Sequence, residues 1–132
     1  MTSAKRLRSV CHSIAHHAVS GLSYIHPHLL EAARSAGVAQ IEVQLLETDP
    51  CPERFRSNEP LRKSLKTLKD KFEAILKSEG FSLSDLAHAK LSFTADPAQN
   101  DNHCSICRAN LSPLKGESVE YVVNYMGQRV GA

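Results

Sequence analysis

Val10-Cys11-His12-Ser13-Ile14-Ala15-His16-His17 is the stretch on which the fold reading turns. Around it, Leu7, Cys11, Ile14, Ala18, Leu22 and Ile25 recur at steps of four and three. That period puts them on one side of a helix running from about Ser3 to Tyr24. Continued through His26-Pro27-His28, the same region holds five of the seven histidines and one of the four cysteines. It therefore reads as a core element and a ligand platform at once. Ser3 is placed to cap the start, and Gly21 weakens the far end. Pro27 lacks an N–H, so it ends this helix or starts the next. A second helix follows from His28 to Ala36, with Gly37 as its left-handed stop.

Downstream, Ile41, Val43 and Leu45 alternate with Glu42 and Gln44, the period of a half-buried strand over about 39–47. Residues 48–60 carry three prolines and read as a loop holding Cys51. Leu61, Leu65, Leu68, Phe72 and Ile75, widened by Leu76, form the clearest stripe in the chain and predict a helix over 59–79. Ser57 or Asn58 suits its cap, Pro60 its first turn and Gly80 its stop. Ser82 or Ser84 opens a short helical turn. Ala89, Leu91, Phe93 and Ala95 then predict a strand over about 88–95. Residues 96–116, including Cys104-Ser105-Ile106-Cys107, read as loop and turn. Val119 to Met126, apolar on both sides, predicts a central strand covered on both faces. The expectation is a single α+β domain over 1–132. It has two N-terminal helices, a long central amphipathic helix and a small sheet of about three strands.

Composition narrows the function classes. A chain of 132 residues is long enough to bury a core, and 42% hydrophobic with 23% charged residues is a globular balance. Aromatics at 5% with no tryptophan disfavour stacking platforms for single-stranded nucleic acid. A net charge of +2 does not by itself imply a polyanion partner. No apolar run is long enough for a membrane span. The start of the chain lacks the apolar stretch of a secretory signal, so the expected location is cytoplasmic, with reduced thiols.

Two residue pairs have metal-ligand spacing. His12 and His16 are four apart and share a helix face one turn apart, where two imidazoles can grip one zinc ion. Cys104 and Cys107 form a C-x-x-C, half of a tetrahedral site when it lies on a tight turn, with His103 just before it. Together they compose a Cys₂His₂ set. His26, His28, Cys51 and Cys11 are substitutes, although Cys11 lies on the apolar stripe and belongs to the core. The leading expectation is a small binding or assembly protein with a structural zinc-type site on Cys104, Cys107, His12 and His16.

Other chemistries have weaker footing. His12-x-x-x-His16 has Ser13 where a zincin carries its glutamate, so a metal-assisted hydrolytic site needs a base from elsewhere, such as Glu31 or Asp101. A redox role for the C-x-x-C requires it at a helix N-terminus, with residues 105–111 helical. From Arg54 to Lys77 eight basic residues face three acidic ones, so Arg62, Lys66 and Lys69 are candidates for a weak nucleic-acid contact. Lys66 with Asp70, and Lys69 with Glu73, also have the spacing of solvated helix pairs. The apolar first helix and the striped central one leave room for a homo-oligomer or a protein partner.

Overall fold

The computed structural model describes residues 3–20, 25–95 and 104–124; the side chains of residues 3, 19, 20, 25–27, 95, 104, 105 and 124 lie outside the description. Three helices and four strands make up its main elements: α1 Ser3–Ser20, α2 Ile25–Ala36, β1 Gln40–Gln44, α3 Glu59–Ser78, β2 Leu86–Ala95, β3 Cys104–Pro113 and β4 Val119–Asn124. The fold class is α+β.

α3 forms for the reasons its sequence states. Asn58 caps it, its side chain accepting the Leu61 N–H at 3.2 Å, and Pro60 sits in the first turn, where its missing donor costs nothing. Leu61, Leu65, Leu68, Phe72 and Leu76 are all buried. At the C-terminus Gly80 takes a left-handed φ of 84°. Its N–H then donates to the Lys77 carbonyl, and that of Phe81 to the Leu76 carbonyl. These are the two bonds of a Schellman stop. α2 ends the same way, with Gly37 at φ 68° and Val38 donating back to the Ala33 carbonyl. α2 begins at Ile25 rather than His28, so Pro27 lies in its first turn.

The strands run in the order β1-β2-β3-β4, each antiparallel to its neighbour. Register places Val43, Leu91, Ala109 and Tyr121 in one cross-strand row, and Ile41, Phe93, Cys107 and Val123 in the next. Alternation sends both rows to one face, which the helices cover. α1 lies against β3 and β4, α2 against β1 and β2, and α3 packs on both helices. Leu7, Cys11, Ile14 and Ala18 of α1 are buried there, as the stripe predicts, and Val10 and Ala15, outside the stripe, are buried with them. Leu22 lies outside the described residues. The opposite face of the sheet is polar, with Glu42 paired to Lys90 at 3.4 Å and Arg108 to Glu120 at 3.5 Å.

Two expectations are corrected. Residues 104–113 are the strand β3, not a loop with a tight turn, so the sheet has four strands among the described residues. The alternation of buried Cys107, Ala109 and Leu111 with Arg108 and Asn110 is the signal, which the C-x-x-C spacing obscures. In addition, among the described residues β4 is the last strand of the sheet with helices on one face, not a central strand covered on both sides. Its doubly apolar look comes from Val122, which is only half-buried on the opposite face beside Arg108.

Candidate metal centre

α1 brings its two spaced histidines together. The His12 and His16 rings lie 4.3 Å apart, centroid to centroid, at an angle of 63°. Both stand against Tyr121 of β4, with ring centroids 4.8 Å from His12 and 6.2 Å from His16. His12 is exposed and His16 half-buried. The spacing along α1 follows from helix geometry, because residues four apart lie one above the other. The third member follows from sheet parity. Tyr121 shares a row with Ala109 and points to the helix side, but on the last strand its ring sits at the rim of the core. Sequence reasoning passed over Tyr121. The only signal for it was its place between Val119 and Val123, at the spacing of a core-facing row.

The electrostatics favour a neutral imidazole at His16. Partial burial lowers the pKa of His16 below the usual histidine range, with His12 and His17 adding to the effect. His17 is lowered too, by burial and by Lys71. A neutral ring has a lone pair to offer a metal, whereas a protonated one does not. Zinc–nitrogen bonds of about 2.0–2.1 Å in a tetrahedral set place two ring centroids roughly 5 Å apart. The observed pair would therefore have to open by about one ångström, a side-chain adjustment on an exposed helix face.

The cysteines are distributed differently. Cys104 begins β3, and its side chain lies outside the described residues. Cys107 is wholly buried, in the core row between Phe93 and Val123. Neither stands at a helix N-terminus, which removes the geometry the dithiol reading required. Cys11 is core, as its place on the stripe indicates. Burial pushes its thiol up to about 12, and its Sγ lies 3.8 Å from the Val119 carbonyl. Cys51 is buried beside Asp49 in another corner, and burial and that carboxylate both raise its pKa. His28 is turned to the Ser64 hydroxyl at 2.7 Å, while Glu31 is exposed on α2. The His26 side chain, Asp101 and His103 lie outside the described residues. Among the described residues no group of three or more His, Cys, Asp and Glu side chains is placed to hold an ion.

The basic segment divides into two parts. Arg62 donates to Asp49 Oδ2 through Nε and Nη2, both at 2.8 Å, and Arg56 stands 3.8 Å from the same oxygen. Lys69 reaches away from Glu73 and donates through Nζ to the carbonyls of Leu45 and Glu47. Arg62 and Lys69 thus tie α3 to the segment after β1, while Lys66 is exposed. A cleft of about 720 Å³ lies elsewhere, where Leu7, Phe81, Pro113 and Leu114 meet, and the histidine pair does not line it. Among the described residues no helix is long and apolar enough to cross a membrane. No protein-family model, curated protein or solved structure matches the chain.

Proposed function

We propose that this protein is a small binding and assembly protein that takes up a zinc-type ion at the His12–His16 pair. The observation that carries the reading is the convergence of two imidazoles on one exposed helix face, 4.3 Å apart beside the Tyr121 ring. The lowered pKa of His16 supports it, since that ring keeps its lone pair at neutral pH. Tyr121 packs against both rings and limits their rotation, so less freedom is lost when an ion binds. The ion serves to hold elements together rather than to do chemistry.

Cobalt(II) tests this directly, because its visible absorption reports both coordination geometry and donor type. The expected result for the full chain is an intense tetrahedral spectrum, displaced by zinc and lost in His12→Ala and His16→Ala. A spectrum dominated by thiolate-to-cobalt charge transfer, and abolished by Cys104→Ser, would move the site to the C-x-x-C. Unchanged binding in both histidine variants would sink the reading.

A further inference from the structure

Two imidazoles are half of a tetrahedral zinc set. The fold indicates where the other half comes from. β4 is the last strand of the sheet among the described residues, and the His12–His16–Tyr121 cluster sits where α1 lies along it. The strand reads Val119-Glu120-Tyr121-Val122-Val123-Asn124, rich in β-branched and aromatic residues. Such a strand favours pairing with another chain.

We infer that two copies of this chain join antiparallel along β4, and that the His12–His16 pairs of both copies hold one zinc ion between them. This rests on the metal reading above. Three features of the geometry support it. A two-fold axis between antiparallel edge strands is perpendicular to the sheet, so both α1 helices fall on the same face, one on each side of the axis. Strands pair about 4.8 Å apart, and a helix seated over both β3 and β4 lies about half a strand spacing inside β4. The two α1 axes then stand roughly 10 Å apart, the distance at which helices pack directly. The third feature is the level of the cluster. Tyr121 lies next to the midpoint of a six-residue strand, so symmetric pairing of the whole strand puts both clusters within about one residue, some 3.4 Å, of the axis. Facing pairs at i and i+4 on two adjacent helices then supply four nitrogen donors. By contrast, the thiols of Cys11, beside His12 on α1, and of Cys107 on β3 are both sealed in the core.

The test is molar mass by light scattering together with zinc content by equilibrium dialysis, on the full chain. The expected outcome is a dimer with half an equivalent of zinc per chain, reverting to monomer in a chelator. His12→Ala should remain folded by circular dichroism, lose the zinc-dependent dimer and bind zinc more than about a hundredfold more weakly. That is a larger loss than removal of an outer-shell partner causes. Zinc at one equivalent in a monomer would overturn this inference while leaving the proposed metal reading intact. A dimer that forms equally without zinc would overturn the bridging role. Zinc held by His12→Ala but lost in Cys107→Ser would place the ligands within one chain. No zinc uptake in any form would remove both proposals.

Discussion

Asp49 is the point at which the helical part of the molecule is latched to the segment after β1, and its removal has a calculable cost. One carboxylate oxygen accepts the Cys51 N–H at 3.1 Å; the other accepts Arg62 Nε and Nη2 at 2.8 Å each. Asp49→Asn keeps an acceptor for Cys51 but turns an amide donor toward the guanidinium, so both Arg62 bonds are lost. Hydrogen bonds to charged groups contribute about 1.5–3 kcal/mol, and fully exposed ion pairs about 0.2–1 kcal/mol. The Asp49 side chain is 18% exposed and that of Arg62 38%, so the pair lies between these limits. We expect a coupling of about 1–1.5 kcal/mol from a double-mutant cycle of Asp49→Asn and Arg62→Met in urea at pH 7. The pH arm follows from the sign of the shift. Burial opposes ionisation of Asp49, but the Cys51 N–H and then Arg62 outweigh it, so the folded-state pKa is depressed. The stabilisation is therefore complete above the unfolded-state value of about 3.9 and is lost as the pH falls through the folded-state value. Wild type and Asp49→Asn should thus converge in stability below that point. A coupling under about 0.3 kcal/mol at pH 7, the usual error of additivity, would refute the latch. It would also return Arg62 to the pool of cations available to a polyanion.

Other perturbations probe the core, a helix stop and the thiols. Phe72→Ala removes a fully buried ring from α3 and should cost about 3–5 kcal/mol in denaturant unfolding. Gly80→Ala forces a side chain into a left-handed conformation, at about 1–2 kcal/mol, and its Cβ would meet Arg6 Nη1 at 3.4 Å; a second substitution at Arg6 should relieve none of the backbone term. Cys11, with its thiol pushed up to about 12, should resist an aromatic disulfide reagent at pH 8 in the folded protein and react at once in urea; prompt reaction when folded would show that α1 opens from the sheet.

The parts of this fold legible in the sequence are those specified locally. α3 carries its own cap, stripe and glycine stop within some twenty residues, and each signal is a bond or a burial that the structure contains. β3 was hidden because its evidence is relational. Cys107 and Ala109 are small, and with Leu111 they become a core face only when Phe93 and Leu91 stand opposite the first two. The same holds for Tyr121. Its helix-facing parity is visible in the sequence, but its position at the rim depends on β4 being the last strand, which no local pattern encodes.

The histidine pair shows the same division, and here it bears on chemistry. The spacing of His12 and His16 guarantees that they share a helix face, and their displacement from the Leu7–Ile14–Ala18 stripe keeps them off the core. Neither fact says what they face. The answer comes from α1 lying across β3 and β4, which sets the pair against Tyr121 of β4, the last strand among the described residues. A histidine pair at that position, on the proposed metal reading, differs from one on a solvated helix face. If the proposed zinc bridge forms, it joins two copies along β4, the last strand among the described residues, so metal uptake and strand pairing would stabilise one another. Each should then strengthen the other by the same factor, since coupling between two binding events is reciprocal. Zinc affinity should accordingly rise with protein concentration, and a titration curve independent of concentration over about two decades would show that the two events are separate.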